Sequence, residues 1–171
     1  MPPELPRLTL LQQRTIEARV LGPFIRTLQE ELGTERANAI VQKAIARIAS
    51  AQGREQAQRL GRTTLADFKA MSKGRHGPGD LEIEVVKETE TEYVFRVVRC
   101  RFAEMYREMG LGDIGHLLSC NRDFAFVEGF NPRIRLQRTQ TIMQGAPFCD
   151  FAYRVVEDTP PSDKPAPAPA P

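Results

Sequence analysis

The sequence has no apolar run long enough to cross a membrane. No stretch approaches the roughly 20 consecutive apolar residues that a spanning helix needs. Its first residues, Met1 to Arg7, also lack a basic segment followed by an apolar core and a small-residue cleavage site, which is the pattern of a secretion signal. We therefore expect a cytoplasmic protein that does not associate with membranes.

The sequence also has no marked excess of one charge. It contains 24 lysine and arginine residues against 22 aspartate and glutamate residues, which leaves a formal charge of +2 for 171 residues. The basic residues are interspersed with acidic ones, whereas nucleic-acid-binding domains concentrate positive charge on one surface. The composition therefore predicts no nucleic-acid partner.

Cysteine is scarce, and no C-x-x-C pair occurs. The three cysteines, Cys100, Cys120 and Cys149, are an odd number at wide spacing. A chain of this length does not depend on a disulfide framework, so we expect reduced thiols, at least one of them reactive. The three thiols and His116 could in principle form a zinc site, but the missing C-x-x-C pairs argue against a metal. No complete phosphate- or dinucleotide-binding glycine motif is present, and we expect no cofactor.

The first third of the chain has helical periodicity. Apolar residues recur at helical spacing from Thr9 to Leu32, and Gly22-Pro23 predicts a kink or a break within this stretch. Thr34 is a candidate N-cap for a second helix that reaches residue 50 or 60. A shorter helix is expected from about residue 63 to residue 73, before a glycine-rich segment.

Beyond that segment the period changes to two residues, which is typical of β-strands. Two strands joined by a polar turn are expected between residues 81 and 100, and two more at about 134–142 and 148–156. Between the two pairs, helices are predicted from Phe102 to Met109 and from an N-cap at Asp113 to Val127, with Gly129 ending the second. This order predicts an α+β fold, in which N-terminal helices pack on a roughly four-stranded antiparallel sheet with a helical crossover between strands 2 and 3.

We interpret residues 1–158 as a single α+β domain, because the chain is long enough for one core but short for two. Within it, residues 1–73 are mainly helical, and residues 80–156 contain the sheet and a motif-bearing helix. Residues 159–171 repeat proline and alanine without a large apolar residue, which predicts a disordered tail. The apolar faces of the first two helices would permit a homodimer.

Reactive side chains are concentrated in the last third of the sequence. On a regular helix His116, Cys120 and Asp123 would share one face, because they are spaced at i, i+4 and i+7. An imidazole can activate a thiol, and a carboxylate can orient that base or move protons itself. For His116 alone we favour a structural role. For Cys120 with Asp123 we favour a functional one, because a carboxylate among apolar residues is costly to bury.

The last strand contributes a second group of candidates. Strand alternation predicts that Cys149 faces inward with aromatic residues and that Asp150 lies on the opposite face. Arg138 could bind a substrate carboxylate through two hydrogen bonds, or it could only satisfy Asp150 across a hairpin. Both roles remain open at this point.

Five short segments in the second half of the chain form a recognisable set. They are Arg99-Cys100-Arg101-Phe102-Ala103, Cys120-Asn121-Arg122-Asp123, Gly129-Phe130-Asn131-Pro132, Arg138-Thr139-Gln140-Thr141 and Cys149-Asp150-Phe151. In this order the sequence resembles the L-2-amino-thiazoline-4-carboxylic acid hydrolase family over about residues 80–156, and less specifically over the N-terminal helices.

The resemblance implies hydrolytic opening of a cyclic amidine-like C=N ring. In the named case a 2-aminothiazoline carboxylate becomes N-carbamoyl-cysteine. The resemblance also implies a set of site residues, with Cys100 and the two threonines as secondary members and His116 outside the pattern: Cys120, Asp123, Arg138, Cys149 and Asp150, then Cys100, Thr139 and Thr141.

These inferences combine into one main hypothesis, a hydrolase acting on a small carboxylate-bearing substrate. The Cys120 thiolate, or a water activated by Asp123, would attack the ring carbon between nitrogen and sulfur. Arg138 would bind the substrate carboxylate, and the hydroxyls of Thr139 or Thr141 would donate neutral hydrogen bonds. The alternative is a non-enzymatic sensor module that binds a small ligand or a metal in the same pocket.

Overall fold

The structure, a computed structural model, describes residues 8–156. The proline- and alanine-rich tail predicted for residues 159–171 lies outside this range. Three helices come first, α1 (Leu10–Leu32), α2 (Thr34–Leu60) and α3 (Leu65–Arg75). Thr9 begins α1 with a capping box, in which its hydroxyl accepts from the Gln12 amide at 3.2 Å and the Gln12 side chain accepts from the Thr9 amide at 2.9 Å. Among these described residues no helix is long and apolar enough to span a membrane.

The helical hairpin differs from the prediction at two points. First, the break that was one of the two outcomes predicted for Gly22-Pro23 does not occur, and α1 continues through Pro23 as one helix. Gly22 is buried where α1 meets Leu111, so tertiary packing supports the helix at the position of the lost hydrogen bond. Second, Thr34 is the first residue of α2 and not its N-cap. Gly33, with a φ of 79°, occupies the cap position instead.

The predicted α+β fold with a four-stranded antiparallel sheet is confirmed. Its strands are β1 (Leu81–Glu88), β2 (Glu92–Cys100), β3 (Ile134–Gln137) and β4 (Cys149–Val155), in the order β1-β2-β4-β3. All three strand pairs are antiparallel. Ile142, predicted at the end of the third strand, lies instead in a 3₁₀ turn, Ile142–Gln144, because that strand ends at Gln137.

The crossover between β2 and β3 is more irregular than predicted. It contains α4 (Arg101–Glu108), a π-helical turn (His116–Cys120) and α5 (Arg122–Phe130). Asp113 does not start a regular helix that runs to Val127, because the π-helical turn interrupts it. The Asp113 carboxylate pairs instead with Arg26 of α1 at 2.7 Å. Gly129 does not end α5 but lies within it, close against Ser50 of α2.

Two apolar clusters flank the centre of the molecule. One joins α1, α2, α4 and the π-helical turn, and it includes Tyr106 and Leu118. The other joins α3 and α5 to the inner face of the sheet, and it includes Phe68, Phe95 and Tyr153. Residues of both clusters line one large cavity, which places the cavity between the helical layer and the sheet.

Candidate functional site

The cavity has a volume of about 790 Å³ and an aromatic wall. The rings of Phe95 and Phe151 stack across β2 and β4, with their centroids 4.9 Å apart and an interplanar angle of 5°. Tyr153 packs beside them and contacts Phe68 of α3 at 4.9 Å between ring centroids. Such an apolar cavity with a few converging polar groups is typical of small-molecule sites.

Most of the predicted site residues meet in this cavity. Five of them, from three separate segments of the crossover and the last hairpin, contribute to its wall, as does the secondary candidate Cys100: Cys120, Asp123, Arg138, Thr141 and Cys149. Strand alternation places Cys149 on the inner face of the sheet, as the sequence predicted. The π-helical turn and the first turn of α5 bring Cys120 and Asp123 to the same space.

Asp123 and Arg138 form an ion pair in the cavity wall. Nη1 of Arg138 donates to Oδ2 of Asp123 at 2.5 Å, and Nη2 donates to the carbonyl oxygen of Cys120 at 2.9 Å. The guanidinium lies about equally close to the rings of Phe124 and Phe151, at 5.0 and 5.1 Å from their centroids. The Arg138 side chain is only 7% exposed, whereas that of Asp123 is 38% exposed. Since Asp123 lines the cavity, we attribute its accessible surface to the cavity and not to bulk solvent.

Burial dominates the titration of the groups in this wall. It raises the pKa of Asp123, and Arg138 opposes this rise by its charge and its hydrogen bond. Burial, supported by the nearby Asp123 carboxylate, raises the pKa of Cys120 to about 12. It also raises the pKa of Cys100 to about 11 and that of Cys149 above its ordinary value. All three thiols are therefore protonated at neutral pH, and all three are unpaired.

Three predicted residues do not line the cavity: His116, Thr139 and Asp150. His116 begins the π-helical turn, in which the Asn121 amide bonds to the His116 carbonyl at 2.9 Å. This wider turn breaks the i, i+4, i+7 alignment that a regular helix would give, so His116 does not share the cavity-facing surface of Cys120 and Asp123.

Asp150 and Thr139 bond to each other on the opposite face of the sheet. The Asp150 carboxylate accepts from the Thr139 hydroxyl at 2.6 Å and from the amides of Thr139 and Gln140 at 2.9 and 2.8 Å. Asp150 therefore fixes the loop that connects β3 to β4, and Arg138 pairs with Asp123 and not with Asp150. Thr141 lines the cavity, but its hydroxyl donates to the Gln144 side chain at 3.0 Å.

Sequence reasoning did not identify three polar residues of the cavity wall: Arg14, His76 and Arg122. His76 comes from the end of α3, where its Nδ1 lies 2.9 Å from the Ser72 carbonyl oxygen. Because a carbonyl only accepts, Nδ1 carries the proton and Nε2 has the free lone pair in the neutral ring. The helical spacing of Lys69, Ser72 and His76 could have indicated this shared polar face, whereas nothing local marks Arg14.

The thiols and carboxylates of the described residues do not form a metal centre. Within residues 8–156 no group of three or more histidine, cysteine, aspartate or glutamate side chains has a geometry that could hold a metal ion. His116, which completed the zinc site considered and disfavoured from the sequence, does not line the cavity with the cysteines.

The sequence profile of the L-2-amino-thiazoline-4-carboxylic acid hydrolase family matches residues 13–153. The chain belongs to this family. The match extends beyond the motif-bearing segments to most of α1, so it covers the N-terminal helices as well as the sheet. The comparison with curated proteins found no match to the chain.

The fold also occurs in a sensory domain. The chain is similar to the crystal structure of the phenol-responsive sensory domain of the transcription activator PoxR with phenol, at a TM-score of 0.51 and 13% sequence identity. The match covers 87% of this chain and 77% of that one. At this identity the likeness concerns the fold alone.

Proposed function

We propose that the protein is a hydrolase that opens a small cyclic amidine-like C=N heterocycle of the 2-aminothiazoline-carboxylate type. One observation carries this proposal: the motif residues Cys120, Asp123, Arg138 and Cys149, far apart in sequence, line one aromatic-walled cavity. Asp123 supplies a carboxyl group whose pKa is raised by burial, as is common for general acids and bases in active sites. The family to which the chain belongs supports the reaction class.

The raised thiol pKa values favour attack by water over attack by Cys120. A thiol with a pKa of about 12 provides very little thiolate at neutral pH. In the proposed reaction the Asp123 carboxylate takes a proton from water as the oxygen bonds to the ring carbon between nitrogen and sulfur, and the ring nitrogen then receives that proton. Collapse of the tetrahedral intermediate breaks the carbon–sulfur bond. The hydroxyl proton passes through Asp123 to the departing sulfur, which gives an N-carbamoyl thiol.

In this mechanism Arg138 is a positioning residue that keeps Asp123 oriented and ionised. Two of its donors are already bound to Asp123 and to the Cys120 carbonyl oxygen. Cys120 and Cys149 act as small, weakly polar wall residues beside the ring. We retain the cytoplasm as the proposed compartment, because a protein with three unpaired cysteines suits a reducing environment.

Replacing Asp123 with asparagine tests the general-base proposal. D123N keeps the size of the side chain but cannot accept the proton, so kcat/KM for 2-amino-thiazoline-4-carboxylate should fall by about 10²–10⁴-fold. D113N is the matched control, because Asp113 pairs with Arg26 and does not line the cavity. Near-normal turnover by a folded D123N protein would exclude Asp123 as the base.

The shared fold and the aromatic wall favour one alternative, a sensor that binds a small aromatic ligand without converting it. The two functions differ in a direct assay. A hydrolase should release N-carbamoyl-cysteine from 2-amino-thiazoline-4-carboxylate, detected by mass spectrometry. A sensor should show a higher unfolding temperature with phenol and no product from the thiazoline.

A further inference from the structure

A second cluster of buried charges lies in the cavity wall, contributed by α1 and α5. Arg14 and Arg122 are 5% and 6% exposed, and both line the cavity. Glu17 lies between them, since its carboxylate accepts from Nη1 of Arg14 at 2.8 Å and from Nη2 of Arg122 at 2.9 Å. The proposed mechanism uses none of these groups.

This cluster carries one positive charge more than its single carboxylate can neutralise. Burial lowers the pKa of Arg122 to about 10, and repulsion from Arg14 adds to this effect. Burial and Arg14 likewise lower the pKa of the neighbouring Arg75. A buried charge without a compensating partner strongly destabilises the folded state. An anion in the cavity would remove this imbalance.

The hydrogen-bond pattern leaves donors for such an anion. Arg14 uses Nη1 for Glu17, and its Nε and Nη2 make no hydrogen bond to any of residues 8–156. Nη1 of Arg122 reaches only the Gln52 side chain, at 3.4 Å. The Tyr106 hydroxyl near both arginines also has no partner within residues 8–156, but it is fully buried and does not line the cavity, so it cannot donate to an anion there. Guanidinium donors left free in a cavity wall are suited to a planar carboxylate.

Arg138 is less suited to bind an anion. Its guanidinium is held by Asp123 and by the Cys120 carbonyl oxygen, and it lies against Phe124 and Phe151. A substrate carboxylate placed there would compete with Asp123 for the same donors and would repel it. Separate arginines for the catalytic carboxyl group and the substrate carboxylate avoid this conflict.

We propose that Arg14 and Arg122 bind the carboxylate of the ligand, and that Arg138 serves Asp123 instead. The identity of the ligand as a ring-bearing carboxylate rests on the proposed function. The anion site itself rests only on the buried charges and donors. In this arrangement the carboxylate lies beside α1 and α5, and the ring lies between Asp123 and the aromatic wall.

Equilibrium binding of two unreactive probes tests the assignment. Thiazolidine-4-carboxylate has the ring size of the proposed substrate but no C=N bond, and thiazolidine-4-carboxamide differs from it only in lacking the charge. By calorimetry, the wild-type protein should prefer the carboxylate by about ten-fold or more, as expected for a charge-assisted hydrogen bond. R14Q should abolish this preference, whereas R26Q, at an arginine outside the cavity, should keep it.

Two further variants separate the possible outcomes. R138Q should keep the carboxylate preference; if R138Q loses it and R14Q keeps it, the assignment is wrong. If R14Q does not fold, R14K retains the charge without the planar donors, and an unchanged preference in R14K would contradict the assignment. A carboxylate preference without hydrolysis of 2-amino-thiazoline-4-carboxylate would disprove the proposed function and leave the anion site intact. No preference in the wild-type protein would disprove the anion site.

Discussion

At the scale of single residues, Asp123 is a carboxyl group in a site that disfavours its charge. Burial raises its pKa, and Arg138 offsets this with an ion pair in the cavity wall. A general base works best when its pKa lies not far below the operating pH, because it is then both ionised and basic. The balance between burial and Arg138 therefore sets the pH range in which the proposed reaction can run.

Replacing Arg138 with glutamine should shift the pH profile. The substitution removes the charge and the hydrogen bond that lower the pKa of Asp123, so this pKa rises further. Since the ionised form acts as the base, the acidic limb of kcat/KM against pH should move to higher pH by about one unit or more. R26Q should leave the acidic limb of the pH profile unchanged. An unchanged acidic limb in R138Q would mean that Arg138 does not set the pKa of Asp123.

Cys120 should behave as a buried thiol and not as an activated nucleophile. Because its pKa is raised to about 12, it should react with iodoacetamide at pH 7.5 about 100-fold more slowly in the folded protein than in urea. Mass spectrometry of the labelled peptide gives this rate. C120A should retain turnover within a few-fold. Rapid labelling together with an inactive C120A protein would instead support covalent attack by the thiolate.

The candidate site was only partly predictable from the sequence. Cys120, Asp123 and Cys149, which line the cavity, were singled out by the motifs of the resemblance, and strand periodicity indicated that Cys149 faces inward. The predicted helical face shared by His116, Cys120 and Asp123 was wrong, because nothing in the local sequence indicates a π-helical turn. Arg14 could not be found, since it lies on an ordinary amphipathic helix and meets the site only through tertiary packing.

At the scale of elements, the contact between α2 and α5 depends on two glycines. A Cβ at Gly53 would lie 2.2 Å from the Phe126 carbonyl oxygen, and one at Gly129 would lie 2.2 Å from the Ser50 carbonyl oxygen. Each glycine thus allows the backbone of the facing helix to approach closely. This contact fixes α5, and with it Asp123 at its first turn.

We expect G129A to destabilise the protein by about 1–3 kcal/mol, because the facing backbone cannot move aside as a flexible side chain would. Urea unfolding measures this change. G74A is the matched control: Gly74 lies in α3 with no atom near its missing Cβ, so alanine should stabilise the protein by about 0.5 kcal/mol. Equal changes in the free energy of unfolding for G129A and G74A would show that close packing of α2 and α5 does not cause the loss of stability.

Most elements followed from periodicity and capping. The capping box of α3, in which Thr64 and Asp67 bond reciprocally, matches the start predicted near Thr64. The errors lie where tertiary contacts override local preference. Pro23 is kept inside α1, and the predicted helix from Asp113 is split by the π-helical turn. Local sequence could not show either, since both depend on what packs against the segment.

At the scale of the whole molecule, the fold encloses its cavity between helices and sheet and leaves two apolar surfaces outside. The first follows α1, where Ile16, Val20 and Phe24 recur every four residues and are 52%, 68% and 59% exposed. The second is the edge strand β1, where Val86 is 61% exposed and does not line the cavity. Exposed apolar surface of this kind is typical of interaction sites.

We predict that a second copy of the chain covers the α1 surface, and Ile40 and Ile48 of α2 are exposed as well. The charges of the hairpin fit a two-fold antiparallel arrangement. The turn between α1 and α2 is acidic, through Glu30, Glu31 and Glu35, whereas the later part of α2 carries Lys43, Arg47 and Arg54. A two-fold axis across the hairpin brings the acidic turn of one copy towards the basic part of the other.

Light scattering during gel filtration tests this arrangement with two matched variants. V20E places a charge in the α1 surface and should convert a dimer to a monomer, because a buried carboxylate without a partner is costly. V86E places the same charge on β1 and should leave the dimer intact. The reverse pattern would assign the interface to the edge strand, where exposed backbone groups can pair with another strand. A monomeric wild-type protein would contradict an interface at either surface. Because α1 carries both this surface and Arg14, loss of the dimer should also weaken the carboxylate preference of the cavity.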